Sequence, residues 1–227
     1  MFAIIAAAGQ SRRMGKIKKQ FLKLGEKYIL EISIEKLLKC NIKNIVVATA
    51  EQDIKIATEI TNKFKNYVNI VKGSNTRQAT IKNAFLSYYK NQNDNDIVLI
   101  HDAARPFFNI SDIIKLIELA KKEGAAILAT PATDTVKYAE NFKIEKTISR
   151  SNIYLAQTPQ AFKINLYRKA LAKANNKINY TDDASLIEQL NHKISIVESS
   201  KINIKITTKE DLYFAKFLIE KEGANYV

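Results

Sequence analysis

Phe2-Ala3-Ile4-Ile5, followed by Ala6-Ala7-Ala8-Gly9-Gln10-Ser11-Arg12-Arg13-Met14-Gly15-Lys16-Ile17-Lys18-Lys19-Gln20, is the stretch from which the fold is read. Four consecutive apolar residues suit a strand buried on both faces. The loop behind them begins with small residues and carries five cations, Arg12, Arg13, Lys16, Lys18 and Lys19. Ala and Gly let backbone N–H groups approach a ligand closely while the side chains add charge, so the loop suits a polyanion. Counting excludes two familiar phosphate loops. A P-loop has four residues between its glycines and Ser or Thr after its Lys; here five separate Gly9 from Gly15, and Ile17 follows Lys16. The closely spaced glycines of the dinucleotide fingerprint are absent as well. Taken alone, the loop also reads as an exposed basic turn.

The chain then alternates. Leu30, Ile34, Leu37 and Leu38 mark one face of a helix over 28–39, and 45–48 is a compact apolar strand. A helix over 52–64, a strand over 68–71 and a helix to about residue 89, capped by Thr76 or Asn75, follow. Residues 97–100 form another apolar strand, running into His101-Asp102-Ala103-Ala104-Arg105-Pro106. A helix over 111–123, capped by Ser111 and ended by Gly124, leads to a strand over 126–129. Strands alternating with helices of this length imply βαβ units, a mostly parallel sheet and right-handed crossovers. Ligands of such sheets lie at the carboxyl ends of the strands. The polar loops after Ile5, Val71 and Ile100 should therefore converge on one crevice.

After Thr130 the rhythm changes. Residues 133–150 alternate polar and β-branched side chains around a turn candidate at Glu140-Asn141, as an antiparallel arm would. A two-stranded arm is marginal alone, so pairing with a second subunit is expected. Gln157-Thr158-Pro159-Gln160 returns to the main body. Helices are expected over 164–175 and over 182–190, the latter capped by Thr181, and strands over 194–197 and 202–206. Thr208-Lys209-Glu210-Asp211 opens the last helix, 212–221, in the manner of a capping box. With neither repeat nor linker, residues 1–227 read as one domain.

The 227 residues are 46% hydrophobic with a formal charge of +13, and no 18-residue apolar run suggests a membrane span. The charge invites a nucleic-acid reading. Of the 36 basic residues, however, only six are Arg, and the lysines are scattered rather than blocked or interleaved with aromatics. In so Lys-rich a chain the arginines inform more, since a planar fork is not replaceable by an ammonium. Arg12, Arg13, Arg77, Arg105 and Arg150 fall in polar segments of interest, and Arg168 on an ordinary helix face. The lone Cys40 reads as a buried apolar residue in a reducing cytoplasm.

Five segments carry a resemblance: Ala6-Ala7-Ala8-Gly9 with Arg13-Met14, Lys19-Gln20, His101-Asp102-Ala103-Ala104-Arg105-Pro106, Thr158-Pro159-Gln160, and Asn203-Ile204-Lys205-Ile206-Thr207. In this order, over nearly the whole chain, they resemble the 2-C-methyl-D-erythritol 4-phosphate cytidylyltransferases of the non-mevalonate isoprenoid pathway. The resemblance implies a Rossmann-like three-layer nucleotidyltransferase fold with a protruding β-arm at about 135–155, and cytidylyl transfer from CTP to the methylerythritol phosphate. Mg²⁺ is implied mainly through the CTP phosphates, with no metal site of the protein's own. By the same resemblance Arg13 and Lys19 stabilise the triphosphate, while Arg150 and Lys205 position the acceptor. Ala7, Ala8, Gly9, Ser74, Asn75, Thr80 and Ala103 surround the nucleotide. Asp102, Arg105, Thr135, Thr158 and Thr181 correspond to acceptor-pocket positions, with Thr135, Arg150 and Thr158 coming from the neighbouring subunit of a homodimer.

The chain departs from the family where Ser11 replaces a frequent Gly, Lys18 a frequent Pro, and Asn75 a common acidic residue. Read without the resemblance, His101 is a structural residue, Lys205 a solvated one, and Asp182-Asp183 a pair of first-turn helix charges rather than a metal site. The rival functions are cytidylyl transfer to another polyol phosphate, such as ribitol 5-phosphate, and a basic nucleic-acid-binding module.

Overall fold

The run Phe2–Ala6 forms β1, and its apolar character places it near the middle of a seven-stranded sheet. The computed structural model describes residues 1–9, 18–175, 178 and 180–222. A two-stranded ribbon, β2 (Lys23–Leu24) and β3 (Lys27–Tyr28), precedes α1 (Ile29–Lys39), β4 (Ile45–Thr49), α2 (Ile54–Thr61) and β5 (Val68–Lys72). Next come α3 (Arg77–Tyr88), β6 (Ile97–Asp102), α4 (Ile110–Glu123) and β7 (Ala125–Pro131). The arm is β8 (Val136–Glu140) and β9 (Lys143–Ile148). The chain ends with β10 (Tyr154–Lys163), α5 (Ile164–Lys173), α6 (Ala184–Glu188), β11 (Ser195–Glu198) and α7 (Lys209–Glu222).

The strand order is β11-β7-β10-β6-β1-β4-β5. β1 pairs in parallel with β4 and β6, β4 with β5, and β11 with β7; β10 alone is antiparallel, between β6 and β7. The expected mostly parallel α/β sheet is therefore present. Each face carries its own apolar layer. Leu30, Ile34 and Leu37 of α1 and Leu116 of α4 pack with Ile5 and Val47 on one side. Ile81 and Phe85 of α3 and Tyr167 of α5 pack with Ile4, Val98 and Phe162 on the other. Each large side chain so buried contributes roughly 1.5–3 kcal/mol. A smaller cluster seats α7, through Ala215 and Leu218, against Leu24, Ile29 and Ile32.

Local chemistry explains several element ends. Thr76 caps α3, its Oγ1 accepting the Ala79 N–H at 3.1 Å. Gly124 ends α4 at φ +94°. Thr208 and Asp211 form a reciprocal cap at α7: Thr208 Oγ1 accepts the Asp211 N–H at 3.3 Å, and Asp211 Oδ2 accepts the Thr208 N–H at 2.9 Å.

Some expectations need correction. Residues 202–206 form no strand, because Asn203 and Arg105 pin this segment through side-chain bonds described below. Residues 154–163, expected only as a return to the body, form the longest strand in the sheet. Ser111 lies inside α4, which begins at Ile110. Thr181 does not cap α6; Asp182 Oδ1 accepts the Ser185 N–H at 3.0 Å instead, and the helix spans only Ala184–Glu188. The arm's turn is Asn141-Phe142, both at positive φ, one residue beyond the expected pair.

Candidate active site

The carboxyl ends of β1, β4, β5 and β6 open on one crevice of about 650 Å³. Its walls include Ala7, Ala8 and Gly9, then Lys18, Lys19 and Gln20, then residues 50–52, 72–77 and 102–104, with Lys205 and Thr207 from the segment before α7. The three polar loops do converge. Gln20 Nε2 donates to the Ala7 carbonyl at 2.6 Å, tying the far side of the first loop back to the end of β1. Gly73 packs so tightly that a Cβ there would stand 2.8 Å from Ala8 Cβ and 3.1 Å from the Thr49 carbonyl. Thr80 Oγ1 accepts the Ser74 N–H at 2.9 Å and lies 3.1 Å from the Ser74 carbonyl, so a buried hydroxyl on α3 fixes the loop above it.

The floor of the crevice is ionic. β6 extends through His101 and Asp102, and the Asp102 carboxylate is shared between two cations. Arg77 Nε donates to Oδ1 at 2.9 Å and Lys205 Nζ donates to Oδ2 at 2.6 Å. Burial alone would raise the Asp102 pKa, but Arg77 and Lys205 outweigh it and hold the carboxyl well below its ordinary range. Arg77 Nη1 also donates to Asp183 Oδ2 at 2.7 Å, and Tyr167 Oη donates to Asp183 Oδ1 at 2.6 Å. Burial raises the Asp183 carboxyl above its usual value, with the Arg77 guanidinium and the Tyr167 hydroxyl pulling the other way. Asp182 accepts from Gln160 Nε2 at 2.8 Å. The two aspartates precede α6 and do not lie in its first turn as expected; they are held by Arg77, Tyr167 and Gln160, and among the described residues no group of three or more metal-ligating side chains occurs.

His101 is wholly buried, its Nδ1 3.2 Å from Thr158 Oγ1 and its ring edge-on to Phe108. Burial pushes its pKa down to about 3, so the ring is neutral at physiological pH. Thr158 Oγ1 also accepts the Asp102 N–H at 3.0 Å. Beside the end of the first loop, Lys18 donates to both carboxylate oxygens of the buried Asp53.

Of the residues singled out in the sequence, Ala7, Ala8, Gly9, Lys19, Ser74, Asn75, Thr80, Asp102, Ala103 and Lys205 line the crevice. Arg105 and Thr158 stand behind it, and Thr158, expected from a neighbouring subunit, is buried in this chain's own β10 against Asp102. Arg105 Nη1 donates to the Asn203 carbonyl at 2.8 Å, and Asn203 Nδ2 donates to Gln157 Oε1 at 2.9 Å and to the Thr158 carbonyl at 3.1 Å. Thr135 and Arg150 are exposed at the root of the arm, where Arg150 donates to the Thr133 carbonyl, and they do not line this chain's crevice. Thr181 is exposed and also lies outside its lining. Arg12 and Arg13 lie outside the described residues.

A crevice of nucleotide size, walled by small-residue loops with ammonium groups at its edge and an ion-paired aspartate at a strand end, fits several nucleotidyl transfers. The whole chain narrows the choice, for residues 1–221 match the family model of 2-C-methyl-D-erythritol 4-phosphate cytidylyltransferase. The chain belongs to this family. A curated cytidylyltransferase of that name from Petrotoga mobilis is 40% identical over 223 residues, which cover 97% of this chain and 98% of the relative. Among solved structures, 4-diphosphocytidyl-2C-methyl-D-erythritol synthase from Anaerococcus prevotii superposes with a TM-score of 0.82 at 32% identity, covering 96% of this chain and 95% of the other. The Francisella tularensis cytidylyltransferase gives 0.78 at 36% identity, covering 95% and 98%.

Within this cytidylyltransferase fold, the sequence does not reveal the Arg77–Asp183 and Lys18–Asp53 ion pairs or the Tyr167–Asp183 hydrogen bond. The scarcity of Arg flagged Arg77, but nothing local pairs it with a carboxylate 106 residues away.

Proposed function

We propose that this crevice is where CTP and 2-C-methyl-D-erythritol 4-phosphate meet, in a cytidylyltransferase that forms 4-diphosphocytidyl-2-C-methyl-D-erythritol and pyrophosphate for isoprenoid precursor synthesis. The observation that carries the site assignment is the Lys205–Asp102–Arg77 cluster beside the small-residue loop that ends β1. The attacking phosphate oxygen is already ionised at neutral pH, so the reaction needs no general base. The buried, neutral His101 is consistent with that. The work to be done is to bring two anions together and to stabilise charge on the α-phosphate and the departing pyrophosphate, which fixed cations and backbone N–H groups do.

In this reading Lys19 and Arg13 take the triphosphate, and the Ala7-Ala8-Gly9 backbone runs along the nucleotide. Ser74, Asn75, Thr80 and Ala103 enclose the base and ribose. Lys205 holds the acceptor phosphate. Asp102 holds Lys205, while Arg105 and Thr158 brace the strand end from behind. Mg²⁺ would arrive on the CTP phosphates, since Asp102, Asp183 and Asp53 already hold cationic side chains; when bound it neutralises phosphate charge.

The arm supports a homodimer. It forms a separate ribbon exposing Tyr138, Phe142 and Ile144, and such a ribbon gains stability by packing on a partner. The partner's Thr135 and Arg150 would then complete the acceptor side, with Thr181 at its rim. Residues 1–227 are read as one catalytic domain with this arm, working in the cytoplasm, where a buried free Cys40 thiol is at home. Pyrophosphate release from CTP, assayed with methylerythritol phosphate and with ribitol 5-phosphate, tests the assignment. Strong preference for the first is expected, and preference for the second would overturn the acceptor.

A further inference from the structure

We propose that Arg77 and Asp183 are positioning residues for the acceptor side of the reaction, fixing Lys205 through the Asp102 carboxylate. This rests on the reading that Lys205 holds the acceptor phosphate. Four groups alternate in charge along one path: Asp183, Arg77, Asp102, Lys205, with bonds of 2.7, 2.9 and 2.6 Å between neighbours. Asp183 and Asp102 are buried, Arg77 is 29% exposed, and Lys205, at 37% side-chain exposure, is the most exposed of the four.

Asp102 has two oxygens and spends one on each cation, so the direction in which Oδ2 presents itself to Lys205 is set by what holds Oδ1. That is Arg77 Nε. Arg77 is in turn fixed by Asp183, whose other oxygen is tied by the Tyr167 hydroxyl in the apolar layer beneath the sheet. Only a planar fork can reach two carboxylates at once through Nε and Nη1; a Lys ammonium on a flexible stem cannot keep both contacts. The four formal charges sum to zero, so with Lys205 in place the floor carries no uncompensated anion. Arg77 begins α3, directly after the loop that walls the nucleotide side, so the same residue ties the two halves of the crevice together.

The test compares Arg77→Lys, Tyr167→Phe and Lys205→Ala with the parent enzyme, varying CTP and methylerythritol phosphate separately. Arg77→Lys is expected to lower kcat/KM for the acceptor at least tenfold, with the KM for CTP within about threefold of the parent. Its acid limb should shift to higher pH, because the lysine keeps a positive charge but not the Nε–H bond that favours the ionised form of Asp102. Tyr167→Phe, which removes one hydroxyl and keeps the ring that stacks on Phe162, should give a smaller loss of the same kind. If Arg77→Lys does not fold, Tyr167→Phe carries the test. A folded Arg77→Lys or Tyr167→Phe enzyme with an unchanged acceptor KM, kcat and acid limb overturns the relay. If Lys205→Ala leaves acceptor kinetics untouched, the reading of Lys205 itself fails and the relay with it; if only Lys205→Ala is impaired, the relay alone fails.

Discussion

Lys205 Nζ donates to Asp102 Oδ2 at 2.6 Å across 103 residues of sequence, joining the segment before α7 to the end of β6. A solvated surface lysine has no such address. The bond holds this lysine at the edge of the crevice, whose lining also includes Lys18, Lys19 and Lys72.

Lys205→Ala should therefore lower turnover by about 100-fold, the effect of removing one preorganised charge worth on the order of 3 kcal/mol. Steady-state rates at saturating CTP, with circular dichroism to show that the fold is kept, measure it. An unchanged rate would mean that the lysine only faces solvent.

Lys18 and Lys19 should behave differently. The Lys18 ammonium is held by the buried Asp53, whereas Lys19 lines the crevice as the lysine of the Lys19-Gln20 pair that carries the resemblance. Lys19→Ala is expected to cost roughly 100-fold in kcat/KM for CTP and Lys18→Ala less than about tenfold. The reverse order in CTP-varied kinetics would reassign the catalytic cation.

Gly73→Ala should disturb both nucleotide loops at once. The added methyl would meet Ala8 Cβ at 2.8 Å, Thr80 Cγ2 at 3.0 Å and the Thr49 carbonyl at 3.1 Å, so Ala8 and the loop above Thr80 must part. Overpacking of this kind costs about 1–3 kcal/mol. Thermal unfolding should show a lower midpoint and CTP titration a weaker affinity, whereas an unaltered affinity would place the nucleotide elsewhere.

His101 should make stability fall with acid. Its native pKa is about 3, against an ordinary 6.5, so between these values the unfolded chain binds a proton that the native state excludes. Stability is full above about pH 6.5 and is lost as pH drops, at up to ~1.4 kcal/mol per pH unit. Urea unfolding from pH 7 to 4.5 should show this slope, and His101→Gln should flatten it. Equal slopes in the two proteins would assign the acid sensitivity to other groups.

Mixing subunits tests the shared site. If Arg150 acts across the dimer and Lys205 within its own subunit, combining inactive Arg150→Ala and Lys205→Ala proteins under exchange restores one complete site per mixed dimer. Random mixing then returns roughly a quarter of parent activity. No recovery, with exchange verified, would place both residues in one chain's site.

How much of this was legible beforehand varies by feature. The apolar runs in β1, β4, β6 and β7 and the loops after them gave the sheet and its crevice, because a buried strand must be apolar and a strand-end loop need not be. β10 is not legible in the sequence, because Gln157, Thr158, Pro159 and Gln160 interrupt its pattern. There the pairing with β7 shifts register between Ala156 and Gln160, and the polar side chains serve Asn203, Asp102 and Ala184 instead of solvent. The opposite error occurred at 202–206, where alternation resembles a strand but buried Asn203 holds the backbone in place. The charge path from Asp183 to Lys205 joins residues that only tertiary packing brings together.

The central claim is cytidylyl transfer to a phosphate acceptor in this crevice, and phosphorus NMR of the enzyme with CTP, Mg²⁺ and 2-C-methyl-D-erythritol 4-phosphate tests it most directly. The account predicts loss of the acceptor's monophosphate signal, growth of a coupled diphosphate pair and an equal amount of pyrophosphate, all slowed by roughly 100-fold in Lys19→Ala. Hydrolysis of CTP to CMP with the acceptor signal intact, or product formation at the parent rate in both Lys19→Ala and Lys205→Ala, would contradict it.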